Sequence, residues 1–269
     1  MFFSRLAVLL VLLGAVTAAA DEPQPVKPRH ALGTLHGFPS MSDTTGRVIA
    51  DGELTQELTG DQLRVRIRWA FVDGREVEER DEFQVDKVLA QTSFSWVETR
   101  KDSLLRRFEV DLAGGTARAT TRNDKGELQR EESTLELPAG RAFTGYGTAL
   151  AVSELSLGPG EKRQITFVAF TPKPRAITLE VTRNGTERFT VAGRSMVTDR
   201  YTLHPQIPFP ASIFVNARDA QLWFTHSPPP ALVRAEQNLA TKDDPVVVID
   251  VTPRGPALPQ RNLAQQGGG

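Results

Sequence analysis

Leu63-Arg64-Val65-Arg66-Ile67-Arg68-Trp69-Ala70-Phe71, followed at once by Val72-Asp73-Gly74, is the stretch on which the fold turns. Its period of two is that of a β-strand, whose successive side chains take opposite faces. Leu63, Val65, Ile67, Trp69 and Phe71 therefore share one face, and Arg64, Arg66 and Arg68 share the other. Asp73-Gly74 is a dipeptide that tolerates positive φ and suits a two-residue hairpin loop. That loop sets Arg68 opposite Glu79 and Arg66 opposite Asp81, both complementary cross-strand pairs. It also sets Trp69 against Glu78 and Ile67 against Arg80 on the apolar face, a mixture unsuited to a dry core between two closed layers. Two explanations stand: the second strand is an edge carrying inward charges, or the apolar face is an open trough with a polar rim.

Outward from this hairpin the alternation recurs. Strands are predicted over 94–99, 104–112, 116–121 and 127–137, with turns at Lys101-Asp102, Gly114-Gly115 and 123–126. Gly158-Pro159-Gly160 opens a second series over 163–171, 176–183, 186–191, 195–203, 221–225, 232–238 and 246–251. Asn184-Gly185 reads as the clearest two-residue hairpin turn in the chain. Only 144–155 departs from the pattern: it is rich in small residues, with Phe143, Tyr146 and Leu150 at helical offsets. A short helix is expected there, although Gly145 and Gly147 each weaken it by about 1 kcal/mol relative to alanine. Extended strand over 149–157 is the competing reading.

The two ends differ from this body. Arg5, an apolar run over 6–16 and Ala18-Ala19-Ala20 have the form of an export leader, so residues 1–20 are expected to be cleaved. The apolar run is too short to span a bilayer, and no cysteine stands at the cut to take a lipid. Residues 21–45, with prolines at 23, 25, 28 and 39, are expected to form a flexible arm, and 253–269 a flexible tail. The domain proper is then 46–252. The whole chain has 269 residues with 32 basic and 33 acidic side chains, and losing Arg5 with the leader brings the formal charge to −2. No field of one sign exists to attract nucleic acid or an anionic membrane. The absence of cysteine excludes disulfides, thiolate nucleophiles and Cys-ligated zinc.

Motifs for chemistry are few. His30, His36, His204 and His226 lack the close spacing of metal ligands, and ordinary surface or turn histidines account for them. Gly193-Arg194-Ser195-Met196-Val197 begins a nucleophile-elbow pattern but lacks its final glycine. A hydrolase built on Ser195, Asp199 and His204 or on His226 is a minor alternative. Asp43-Thr44-Thr45-Gly46 has one residue too many for an aspartic-protease loop, and no second such loop exists. Asn123-Asp124-Lys125-Gly126-Glu127 lacks calcium-loop spacing and reads as a turn. No catalytic residue, metal or cofactor is expected.

The aromatic residues point elsewhere. Trp69, Phe71, Trp96, Phe108, Phe167, Phe170 and Trp223 fall on predicted strands. Core filling explains any one of them; a cavity for an acyl chain explains several together. The stretch from Leu155 to Glu236 resembles a bacterial family of exported β-proteins of unknown function. Its matching features are Leu155 to Glu161 (Leu-Ser-Leu-Gly-Pro-Gly-Glu), Val191-Ala192-Gly193-Arg194, Leu222-Trp223-Phe224 and Leu232-Val233-Arg234-Ala235-Glu236. That family is similar in fold to the periplasmic carriers LolA and LolB and to the mycobacterial LppX. The resemblance implies a strongly curved, mainly antiparallel sheet forming an unclosed half-barrel, plugged by the 144–155 segment, with an apolar ligand in its hollow. The expectation is thus an all-β, exported, periplasmic, non-enzymatic protein. Val65, Ile67, Trp69, Phe71, Trp96, Phe167 and Ile177 would contact a lipid or acyl chain. A protein partner in the envelope, bound along a strand edge, is the alternative.

Overall fold

The structure, a computed structural model, describes residues 22–171, 173–191, 194–206 and 218–251; the expected leader and C-terminal tail lie outside the described residues. The first strand series comprises β1 (Leu35–Gly37), β2 (Ser40–Asp43), β3 (Val48–Thr59), β4 (Gln62–Phe71), β5 (Arg75–Val85), β6 (Leu89–Arg100), β7 (Ser103–Asp111), β8 (Thr116–Arg122) and β9 (Leu128–Thr134). A two-residue strand β10 (Ala142–Phe143) and the helix α1 (Tyr146–Ser153) separate it from the second series. That series is β11 (Lys162–Thr171), β12 (Lys173–Val191), β13 (Arg194–Gln206), β14 (Ala220–Thr225), β15 (Leu232–Asn238) and β16 (Val246–Asp250).

All the strands belong to one sheet, which runs β10 to β16 and then β2 to β9, with β1 added beside β3. Each series is an antiparallel meander, and β16 joins them by pairing antiparallel with β2, as in Val247 with Asp43. Among the described residues the β10–β11 pair alone is parallel. The sheet curls until β9 lies near β12, where the Ser133 hydroxyl donates to the Pro174 carbonyl over 2.8 Å. No ladder among the described residues closes that seam, so the result is an unclosed barrel, the architecture that the resemblance implies. Among the described residues no helix is long and apolar enough to cross a membrane.

The deciding stretch folds as its period dictates: Leu63, Val65, Ile67, Trp69 and Phe71 are buried, while Arg64, Arg68 and Ala70 are exposed. Each buried side chain of this size contributes about 1.5–3 kcal/mol. The expected register of the hairpin is corrected by one residue. Its loop has three residues, Val72-Asp73-Gly74, with Gly74 at φ 79° and its N–H donating to the Phe71 carbonyl at 3.0 Å. A three-residue loop of this kind ends on a residue in the left-handed region, a role glycine fills without strain. One residue of slip turns every side chain of β5 to the other face. Trp69 now faces Val77, Ile67 faces Glu79 and Val65 faces Asp81, while Arg68 pairs across with Glu78. Outside, Arg66 and Arg80 stand opposite one another, and Glu78 reconciles them by accepting from Arg66, Arg68 and Arg80. Since β5 pairs with both β4 and β6, the edge-strand explanation for inward charge does not hold.

Two further expectations are corrected. Asn184-Gly185 is a β-bulge inside β12, not a hairpin turn: the register slips between Arg183 and Gly185, and both flanks continue pairing with β13. Gly185, at φ 142°, absorbs the extra residue there. The supposed arm at 21–45 contains β1 and β2, and ahead of them Val26 is 2% exposed. Val26 N–H donates to the Gly140 carbonyl and its carbonyl accepts from Leu89 N–H, both at 2.8 Å. Its isolated apolar residue finds a core position, which the prolines around it do not prevent.

The helix forms where expected. Gly147 through Val152 are all buried, and such a helix, apolar on every side, belongs inside the fold. It packs in the hollow of the curled sheet. Across that hollow, Phe170 of β11 lies 4.5 Å from Phe108 and 6.3 Å from Phe94, linking the second series to β7 and β6. Aromatic contacts of this kind add about 0.5–1.5 kcal/mol each beyond their buried area.

Candidate functional site

Curling a sheet with one apolar face leaves a hollow, and here the protein's own side chains do not fill it. A cavity of about 440 Å³ remains, within the range of roughly 300–1,000 Å³ typical of small-molecule sites. Leu54, Ile67, Trp69 and Phe94 line it from the first series, Ile177 and Leu222 from the second, and Ala149 from α1. Of the residues expected to contact a ligand, Ile67, Trp69, Trp96, Phe167 and Ile177 line the cavity. Val65 and Phe71 do not: Val65 is buried between Gln56 and Asp81, and Phe71 lies 4.5 Å beneath the Arg75 guanidinium. The exposed side chains Arg175, Arg218 and Lys242 mark where the cavity meets solvent.

One part of the wall is polar. The corrected register brings Glu79 and Asp81 to the inner face of β5, opposite Trp96 and Phe94 of β6. Helix α1 begins directly over them, and its N-cap position is Gly145, which has no side chain with which to cap. The sheet supplies the cap instead. Tyr146 N–H donates to Glu79 Oε1 at 2.6 Å, and Gly147 N–H donates to the Asp81 carboxyl. Orphan amides and the positive end of the helix dipole both favour a carboxylate at this place. Gln91 ties the arrangement together: its Nε2 donates to Asp81 Oδ1 at 2.7 Å, and its Oε1 accepts from Thr144 N–H at 2.8 Å.

The two glycines are explained by the same contact. A Cβ on Gly145, which has φ 52°, would collide with Glu79 and the Phe94 ring, and one on Gly147 would lie 2.5 Å from Gln91 Oε1. Helix propensity is sacrificed so that the backbone can approach the carboxyls.

Burial raises the pKa of both acids. Burial pushes Glu79 up to about 7, against the lowering effect of the Tyr146 amide and of its hydrogen bond with Asp81. Burial first, and then the Glu79 charge, pushes Asp81 well above the usual carboxylate range. Above neutrality two carboxyls this close hold one proton between them. Asp81 keeps that proton and donates it to Glu79, whose charge helps to hold it there. Burial, reinforced by the charges of Asp81 and Glu79, also raises the Tyr146 hydroxyl above its ordinary value. Glu79 retains some accessible surface and lines the cavity, so that surface faces the hollow. Thr148, 6% exposed, also lines the cavity, while its hydroxyl oxygen is fully buried.

A two-residue loop puts Glu79 and Asp81 on the outer face of β5, so the period of the sequence alone does not reveal this polar pair. Its trace in the sequence is an acid pair two apart, Glu79 and Asp81, between apolar Val77 and Phe83.

The histidines lie elsewhere. His204 Nδ1 meets Asp219 at 2.7 Å and His226 Nδ1 meets Asp199 at 3.1 Å, all four with no place in the cavity wall. Asp199 is also held by Arg183 and Thr186, at 2.8 and 2.6 Å. Thus His204 and Asp199, grouped in the hydrolase alternative, do not pair with one another. His30 and His36 pair with Glu154 and Glu53. Asp43 accepts from Thr45 and Arg47 as the first residue of a turn, and Asn123 accepts likewise from Lys125 and Glu127.

No protein-family model matches the chain, and no curated protein matches it. Among solved structures it is similar to the hypothetical lipoprotein YmcC of Escherichia coli (K12), at 12% identity and a TM-score of 0.36, over 81% of this chain and 84% of that one.

Proposed function

We propose that this protein is an exported, non-enzymatic binder that holds or shields an apolar ligand, such as the acyl chain of an envelope lipid or lipoprotein. The observation that carries this reading is the cavity of about 440 Å³, walled by apolar side chains from both strand series and from α1. Each methylene buried there contributes about 0.8 kcal/mol, so a single chain supplies useful affinity without any catalytic group. The leader-like start of the sequence supports a periplasmic location, and the LolA-like half-barrel is the carrier architecture that this reading invokes. The rival reading, a partner strand added to a sheet edge, is less well served. The edge strand β9 carries Arg130, Glu131 and Glu132 in succession, and charge of this kind blunts an edge.

The test is a titration with diphenylhexatriene, a hydrocarbon probe that brightens in apolar surroundings. Saturable binding to the wild type and at least tenfold weaker binding to Ile177→Trp, which fills the cavity, are expected. No saturable binding, or equal binding by a folded Ile177→Trp, overturns the reading.

A further inference from the structure

The positive charges of the cavity wall are not scattered. Arg175 begins an inward row on β12, since Ile177 and Leu179, two and four residues on, also line the hollow. Arg218 stands two residues before Ala220 and four before Leu222, which line the hollow from β14. Lys242 lies in the turn between β15 and β16. In an antiparallel meander the start of β12, the start of β14 and the β15–β16 turn fall at one end of the sheet. The three cations therefore share one mouth. The acids of that end already hold partners: Asp219 meets His204 at 2.7 Å, Asp244 meets Arg106 at 2.8 Å and Asp243 meets Lys242 at 2.5 Å. Among the described residues no acid pairs with Arg175 or Arg218, and both are exposed. Solvation alone would be served as well by an outward position, yet these two arginines continue inward apolar rows.

We propose that this mouth binds the anionic head, a carboxylate or a phosphate, of a single-chain amphiphile whose hydrocarbon tail lies in the hollow. The proposal rests on the apolar-cavity reading above and narrows it to a ligand class. A guanidinium presents a planar fork of donors that matches either head, and Arg175 and Arg218 supply two such forks without an internal partner. Glu79, the remaining charged residue of the described wall, sets the orientation. Its Oε1 accepts from the Tyr146 amide, and an anion placed beside it would meet like charge where screening is poor. The head is thus kept from Glu79 and held by the arginines, with the tail inward. The whole chain is nearly balanced, with 32 basic and 33 acidic side chains, so the preference belongs to this rim and not to a net field. An alcohol with the same tail gains nothing from the arginines' charge, and this difference is what the experiment reads.

Decanoate, decyl phosphate, decanol and decylamine share one tail and are compared as competitors of diphenylhexatriene at pH 8 and low salt. The acid that fits the rim is expected to displace the probe at least tenfold more effectively than decanol, with decylamine weaker than that acid. The stronger of the two acids identifies the head. Arg175→Gln/Arg218→Gln, changed only at exposed positions, should reduce the ratio of acid to decanol at least fivefold. Arg175→Glu/Arg218→Glu should turn the preference toward decylamine, and added salt should shrink the wild-type ratio. Equal displacement by both acids and decanol, a wild-type preference for decylamine, or a ratio undiminished in the folded double glutamine variant overturns the proposal and leaves the apolar cavity standing. Failure of diphenylhexatriene itself to bind overturns the cavity reading, and the anion proposal with it.

Discussion

Glu79 makes the stability of this fold depend on pH in a direction opposite to that of an ordinary salt-bridged carboxylate. Below its usual value of 4.5 the side chain is protonated whether the chain is folded or not. Between 4.5 and about 7 the unfolded chain releases the proton and the folded one keeps it, so stability falls as pH rises. Each unit of pKa difference corresponds to about 1.4 kcal/mol, giving a loss of about 3 kcal/mol that is complete above neutrality. Asp81, raised by burial and by Glu79, acts in the same direction. Urea unfolding followed by the fluorescence of Trp69, Trp96 and Trp223 measures this. With a slope of roughly 2 kcal/mol/M, the midpoint should drop by about 1.5 M between pH 5 and pH 8. The comparison is made with Glu79→Gln, whose side chain can still accept from Tyr146 N–H but does not ionise. The variant's midpoint should fall much less over that range. A variant as pH-dependent as the wild type would refute the assignment of a shared buried proton to this pair.

Two other perturbations test the frame around the cavity. Glu98 is 2% exposed and bonded by Arg75 at 2.7 Å and Arg106 at 2.5 Å, while Arg106 reaches Asp244 of the second series at 2.8 Å. Arg106→Ala should therefore cost about 3–5 kcal/mol, since it leaves a buried charge short of a partner; a loss under 1 kcal/mol in urea unfolding would contradict this. Gly52 lies across from Trp69, and a Cβ there would come within 2.7 Å of the indole ring. Gly52→Ala should push that ring toward the cavity, costing about 1–3 kcal/mol and altering the near-ultraviolet circular dichroism; an unchanged spectrum would contradict the packing.

The parts of the fold legible in sequence were those set by local period. Leu63 to Phe71 alternate because one face is buried, and Tyr146 to Ser153 read as helix because small and apolar residues follow helical offsets. What was not legible depended on single backbone angles. Asp73-Gly74 fits a two-residue or a three-residue loop, and only Gly74 at φ 79° with Val72 in the loop decides between them. That choice governs which face Glu79 takes, so the polar half of the site was hidden by one residue of register. Asn184-Gly185 has the composition of a turn, yet Thr186 to Val191 continue pairing with β13, and a bulge accommodates the same positive φ. Among the apolar positions, alternation identified the inner face but not where on it the hollow lies. Ile67 and Trp69 border the cavity, whereas Val65 and Phe71, on the same strand, are covered by their neighbours. Gly145 and Gly147 counted against a helix as isolated residues; what they permit is visible only with the carboxyls beneath them.

Native mass spectrometry of the gently purified, full-length product tests the central claim most directly. Wild-type protein should carry a hydrophobic molecule that is released on mild activation, and Ile177→Trp should fly bare. A wild type that is bare, and that stays bare after incubation with lipid extract, would mean that the hollow between the two strand series holds nothing.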